Sequence, residues 1–139
     1  MGRSIPEKLR RFYDLFAGSH QVLIVINADP DAIASAMAIR RLLWRKVPNV
    51  TISNINIINR PDNLAMIRLL GVNLIPFDEI KVDPYSRIII VDSQPDHNEI
   101  MANLKVDVII DHHPDAGFKA PFVDIRPHYG ATSTILTEY

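Results

Sequence analysis

The stretch QVLIVINADPDAIASAMAIRRLLWRK, residues 21–46, decides the fold class. Residues 21–27 form a continuous apolar run, as expected of a strand that is buried on both faces of a sheet. Residues 31–46 are rich in Ala and Leu, have the spacing of an amphipathic helix, and end in basic residues. A buried strand that passes through a short acidic turn into a helix is the order found in α/β domains.

The same alternation continues along the chain. Further helices are predicted at 4–17, 61–71 and 97–104, with another starting in 130–139, and further strands at 50–55, 72–77, 86–92 and 106–111. Ser4, Pro6 and Glu7 are typical of a helix start, and Gly71 of a helix end. Strands that alternate with helices through short loops predict a three-layer α/β/α domain with a mainly parallel sheet.

Composition narrows the functional classes. The 139 residues carry a net charge of −1, so the chain as a whole lacks the charge of a long nucleic-acid interface. There is no Cys, which excludes disulfides and thiolate metal sites. No apolar run approaches the ~20 residues of a membrane span. The N-terminal residues do not resemble a signal peptide, so we expect a cytoplasmic protein.

Acidic residues and a histidine pair follow three of the predicted strands. They are Asp29 and Asp31, then Asp92, then Asp111, His112 and His113. In an open parallel sheet the carboxyl ends of the strands meet at one edge, where ligands bind. Carboxylates and imidazoles gathered there repel one another unless a cation lies among them. The donor types suit Mn²⁺, Mg²⁺ or a related divalent ion, and two ions about 3.5–4 Å apart would clamp a phosphoryl displacement.

Each of these residues has a simpler explanation when it is taken alone. Asp31 would serve as the cap of the helix that follows it, and Asp92 as a turn former at a strand end. A histidine pair is commonly exposed or hydrogen-bonded in a loop. The coincidence of all three groups at strand ends favours the metal site.

A further group of residues near the C-terminus could bind a phosphate. Gly130, Thr132 and Ser133 open a helix, whose free amides favour an anion, although ordinary capping explains them equally well. Arg126 and His128 precede this helix, and either a phosphate contact or a solvated loop accounts for them.

Together the segments NADPDAIASAMAI (27–39), VDSQP (91–95), DHHPD (111–115) and GATST (130–134) resemble the four motifs of the DHH phosphoesterases, a family that includes RecJ-type exonucleases and nano-RNA nucleases. The resemblance implies a Rossmann-like DHH domain and Mn²⁺-activated water. It implies that Asp29 and Asp92 bind one metal, and that Asp31, Asp92 and His112 bind another. His113 would face the substrate, and Asp111 would orient a histidine. Ser35 either supports this loop or is a small packing residue.

The sequence departs from the family pattern in two ways. Members normally have a histidine four residues before the first Asp, and that position is Val25 here, so one metal site lacks a ligand. The family also has a later Asp ligand and a C-terminal substrate domain. We therefore expect residues 1–139 to be a DHH domain that is truncated before its C-terminal end, without the substrate domain.

Three functions follow from these observations. The first is a metal-dependent phosphoesterase acting on nucleotides or short oligonucleotides. The second, motivated by Val25, is a degenerate nucleotide-binding or regulatory module. The third is a structural domain whose acids only cap and turn, and the motif match argues against it.

Overall fold

The computed structural model describes residues 4–139 and contains one six-stranded sheet in which all described strands are parallel. The strands are β1 (Gln21–Ile26), β2 (Asn49–Asn54), β3 (Leu74–Pro76), β4 (Arg87–Val91), β5 (Val108–Asp111) and β6 (Phe122–Ile125). Their order across the sheet is β3-β2-β1-β4-β5-β6. This is the doubly wound order, in which the chain changes direction across the sheet between β1 and β4.

Helices cover both faces of the sheet. They are α1 (Ile5–Tyr13), α2 (Pro30–Leu42), α3 (Pro61–Leu70), α4 (Glu99–Ala102) and α5 (Thr132–Leu136). Residues of α1, α2, α3 and α5 pack against the face that carries Ile24 and Ile89, whereas Met101 of α4 packs against the face that carries Val25 and Ile90. The predicted three-layer α/β/α fold is confirmed.

Helix ends differ most from the predictions. Ser4 caps α1 through the amide of Glu7, as predicted, but α1 ends at Tyr13 and α2 ends at Leu42. After α2 the chain reverses through Arg45, whose φ of +64° cannot continue a right-handed helix. The helix predicted at 97–104 is instead a 3₁₀ turn, Pro95–His97, followed by the single turn of α4.

The sequence analysis did not predict β6. This strand is four residues long, and it carries a charged residue, Asp124, at a buried position. The chain reaches it from β5 through residues 112–121, which form no regular helix. Neither signal used for the other strands, a long apolar run or an intervening helix, was therefore present. Among the described residues, no helix combines the length and the apolar character that a membrane crossing requires.

Candidate metal centre

The acidic residues meet where the sheet changes direction. Asp29 and Asp31 follow β1, Asp92 follows β4, and the neighbouring strand β5 ends in Asp111. The edge outside β1 and β4 is the crevice in which doubly wound folds bind ligands. The fold thus brings together three segments that are distant in sequence, as the strand-end argument predicted.

His112 lies between two of these carboxylates. Its Nε2 is 3.3 Å from Asp92 Oδ1 and 3.7 Å from Asp31 Oδ2. Its Nδ1 is 3.2 Å from the carbonyl oxygen of Tyr129. A carbonyl only accepts hydrogen bonds, so Nδ1 donates to it, and Nε2 is the ring nitrogen that faces the acids. This is how a protein orients a metal-ligating imidazole.

Asp92 has an uncommon backbone conformation, and its surroundings disfavour the charged form of its side chain. Its backbone has a φ of +60°, which is rare outside glycine, and its side chain is buried. Burial, followed by the hydrogen bond and charge of Asp31 and the charge of Asp29, raises the pKa of Asp92 to about 8. The Thr132 hydroxyl donates to Asp92 Oδ1 over 3.0 Å and partly opposes this rise. A divalent cation would relieve the repulsion.

Asp31 is the anionic partner of Asp92. Burial alone would raise the pKa of Asp31, but hydrogen bonds from the Ser133 and Thr132 amides outweigh it, so that the pKa is lowered. Both amides donate to the Asp31 carboxylate over 2.9 Å. The explanation of Asp31 as the cap of α2 is wrong, because Asp29 caps that helix through the Ala32 amide at 2.8 Å.

Asp111 is positioned to orient His113. Its Oδ1 accepts from His113 Nδ1 over 2.7 Å, and its Oδ2 accepts from Gln94 Nε2 over 2.8 Å. Asp111 is fully buried, and both of its carboxylate oxygens are occupied. His113 is partly exposed, and Nδ1 is the ring nitrogen that faces Asp111, so Nε2 is the one left for a ligand.

The donor set fits a divalent ion. Asp92, Asp111, His112 and His113 each place one ligand atom within 4.8 Å of the others. Because Asp111 uses both oxygens within the protein, we regard it as the orienting acid of this group. Asp31 lies next to this group, in contact with His112. The negative charge of Asp29 helps to raise the pKa of Asp92. Oxygen and imidazole donors without thiolate match Mn²⁺ or Mg²⁺ chemistry.

The backbone amides at the start of α5, which were predicted to bind a phosphate, bind a carboxylate of the protein instead. The amides of Thr132 and Ser133 bind Asp31, and the Thr132 side chain binds Asp92. The start of α5 therefore holds Asp31 and Asp92 in place. The Thr132 and Ser133 amides are already hydrogen-bonded to Asp31. Gly130 is exposed beside them.

Arg126 belongs to a buried ion-pair network and not to a solvated loop. Its guanidinium binds both Asp124 oxygens at 2.8–2.9 Å, Glu138 at 2.6 Å and the Tyr129 hydroxyl at 2.9 Å. Tyr139 also donates to Asp124, over 2.5 Å. Hydrogen bonds to Asp124 and Glu138 raise the pKa of Arg126. His128 is exposed, as the solvated-loop explanation expects, and its ring packs on Tyr129.

Gln94 is the supporting residue that the sequence analysis missed. It is fully buried, and its Nε2 donates to Asp111 and to the carbonyl of Pro114 at 3.0 Å, while its Oε1 accepts from the Ala116 amide at 2.9 Å. One side chain after β4 thereby fixes the loop after β5. Gln94 stands within the motif VDSQP, 91–95, but neither the motif nor any periodicity of the sequence indicated this supporting role.

Comparisons with known proteins identify the family of the chain. The sequence pattern described as "DHH family, N-terminal domain" matches residues 21–139. An uncharacterized protein of Methanocaldococcus jannaschii is 40% identical over 118 residues, which cover 85% of this chain. The chain spans about a quarter of the length of that relative. Because the family pattern covers most of its residues, the chain belongs to the DHH family.

Proposed function

We propose that this chain is a metal-dependent phosphoesterase domain that hydrolyses phosphodiester or phosphate bonds in cytoplasmic nucleotides or short oligonucleotides. The observation that carries the proposal is the buried contact of Asp92 with Asp31 and His112, in which the pKa of Asp92 is raised to about 8. A structural domain has no reason to hold two carboxylates and an imidazole in one partly buried group. A cation makes the arrangement favourable.

Each residue of the group has a role in this proposal. Asp29, Asp31, Asp92 and His112 would hold the metal, for which Mn²⁺ is our choice. A divalent ion bound there would lower the pKa of a water molecule and make it a nucleophile at neutral pH. His113, held by Asp111 at 2.7 Å, would face the phosphate and exchange a proton through Nε2.

The phosphate contacts expected near α5 are revised in this proposal. The Thr132 and Ser133 amides hold Asp31, and the donors of Arg126 are engaged by Asp124, Glu138 and Tyr129. We therefore assign these residues to the support of the site. Gly130 and His128, both exposed, stay as phosphate contacts.

The test is hydrolysis of short oligonucleotides and of 3′-phosphoadenosine 5′-phosphate by the complete protein with Mn²⁺. Asp92→Asn should lower kcat at least 100-fold, because it removes a charge that the metal needs. Asp83→Asn is the matched control, since Asp83 is exposed just before the opposite end of β4. Unchanged turnover in Asp92→Asn would refute the proposal.

Val25 supports a second candidate, a degenerate nucleotide-binding module. Where the family usually has histidine, this side chain is fully buried among Leu23, Ile88, Ile90 and Met101. This candidate predicts nucleotide binding without turnover in Mn²⁺, Mg²⁺ or any other divalent ion. Turnover that depends on Asp92 would exclude it.

A further inference from the structure

A cavity lies at the carboxyl ends of β2 and β3, on the edge of the sheet that also carries the acidic group. It has a volume of about 450 Å³ and opens between α3, β3 and the segment that follows β2. Its apolar walls include Ile58, Leu64, Ile67, Val72 and Leu74. This size and this lining are those of a site for a small, largely apolar group.

The cavity also contains a polar group without a partner. Asn54 lines it and is 7% exposed. The Nδ2 of Asn54 donates to the carbonyl of Asn56 over 2.9 Å, but its Oδ1 is buried without a hydrogen bond. Asn63, in the first turn of α3, is 4% exposed, and its Oδ1 also lacks a partner. Asn63 does not line the cavity, so the oxygen that bears on it is that of Asn54. Buried acceptors are normally satisfied, and this oxygen indicates a missing donor.

The cavity wall is attached to the metal-binding loop. Asn56, which lines the cavity, accepts from the Ala28 amide over 2.7 Å and donates to the Ala28 carbonyl over 2.9 Å. Ala28 immediately precedes Asp29. A ligand with its phosphate at the acidic group and its remaining part over the end of β2 would lie along the sheet edge, as ligands do in doubly wound folds.

We propose that this cavity binds the nucleobase of the substrate and favours bases with an exocyclic amino group. The inference rests on the proposed function, because that function brings a nucleotide to this edge. A base is flat and apolar on its faces, which suits the walls. Its amino group is the donor that Asn54 Oδ1 lacks. Adenine, guanine and cytosine carry such a group, whereas hypoxanthine presents a carbonyl at the position where adenine has its amino group.

The experiment compares three substrates of the complete protein with Mn²⁺. They are a 5′-phosphorylated adenine dinucleotide, its hypoxanthine counterpart and its abasic counterpart. Leu64→Trp fills the cavity from a partly exposed position, and Leu69→Trp is the matched control, because Leu69 is 84% exposed on the same helix and does not line the cavity. The measured quantity is the ratio of kcat/KM between substrates.

We expect adenine to exceed hypoxanthine about fivefold or more in the unmodified protein. Leu64→Trp should lower the ratio of adenine to abasic substrate at least tenfold, and Leu69→Trp should leave it unchanged. Equal ratios in both variants would overturn the base site while leaving the phosphoesterase intact. If Leu64→Trp does not fold, the unmodified protein decides, and an adenine-to-hypoxanthine ratio near one overturns the base site.

A separate measurement distinguishes failure of the proposed function. If no dinucleotide is hydrolysed, adenosine binding is followed by NMR in the absence of metal. Binding that Leu64→Trp abolishes and Leu69→Trp retains supports the cavity even without catalysis. Absence of adenosine binding overturns it.

Discussion

The carboxylate oxygen Oδ2 of Asp31 accepts a hydrogen bond from the backbone amide of Thr132 over 2.9 Å, across 101 residues of sequence. Oδ1 of the same side chain accepts from the Ser133 amide over 2.9 Å. Asp31, which follows β1, therefore anchors the start of α5. In turn, the Thr132 hydroxyl donates a hydrogen bond to Asp92. The side chain that we propose as a metal ligand therefore also has a structural role.

The first prediction concerns this anchor. Asp31→Ala should lower the free energy of unfolding by about 2–3 kcal/mol, since hydrogen bonds to a charged group contribute about 1.5–3 kcal/mol. Asp62→Ala removes an acid whose ion pair with Arg60 is exposed, and should cost less than about 1 kcal/mol. Urea denaturation without metal measures both. Equal stability of the two variants would contradict an anchoring role for Asp31.

The second prediction concerns Gln94. Gln94→Met keeps the volume but leaves the buried Asp111 Oδ2 without its donor, which should destabilise the protein by about 1–3 kcal/mol. Asn103→Leu is the control, because it removes an exposed hydrogen bond from the residue that follows α4 to the carbonyl of Glu99. If Gln94 positions His113 through Asp111, the variant should also change the pH profile of kcat. A loss of stability with an unchanged pH profile would leave Gln94 as a structural residue alone.

The third prediction is a pH dependence that comes from Asp92. Its pKa rises from 3.8 in the unfolded chain to about 8 in the folded one, so the folded state binds an additional proton between these values. Stability without metal should therefore fall as the pH rises from about 4 to about 8, at most ~1.4 kcal/mol per pH unit. Asp92→Asn should remove this slope. A stability that increases over this range in the unmodified protein would contradict the assignment.

The proton on Asp92 can also be detected through metal binding. Below pH 8, Mn²⁺ must displace the proton from Asp92, so its affinity should rise with pH. Calorimetry in buffers of different ionisation enthalpy measures the protons that are released. Asp92→Asn should release about one fewer.

Sequence alone could predict the sheet and the gathering of the acids. Long apolar runs mark β1 and β4, and the parallel topology then places Asp29, Asp92 and Asp111 at one edge without further information. It could not predict β6, whose four residues include Asp124, nor the network around Arg126. That network depends on Tyr129, Glu138 and Tyr139, which come together only after the chain has folded. Motif spacing can indicate candidate ligand-binding residues. It does not indicate the side chains that support those residues through hydrogen bonds and ion pairs.

The fourth prediction separates a structural Arg126 from one that binds phosphate. Arg126→Met removes the closest cation from buried Asp124, which keeps only the Tyr139 hydroxyl and Lys8 Nζ at 3.5 Å, and should cost about 3–5 kcal/mol. Arg60→Met breaks an exposed pair and should cost less than about 1 kcal/mol. Denaturation compares the two, and KM is then measured where Arg126→Met is folded. A large rise in KM with little loss of stability would return Arg126 to the phosphate site.

The last prediction restores the missing histidine. Val25 is fully buried and is the second-to-last residue of β1. Its partner across the sheet is Ser53, whose buried hydroxyl lacks a hydrogen bond. A histidine at this position could use Ser53 Oγ to orient its ring, as metal-ligating imidazoles require. We expect Val25→His to raise Mn²⁺ affinity about tenfold or more by titration calorimetry. The gain should disappear in the Asp92→Ala background, because both side chains would then serve the same ion. Unchanged affinity in a folded Val25→His protein would mean that the donor set is already complete, and would remove the main argument for a degenerate site.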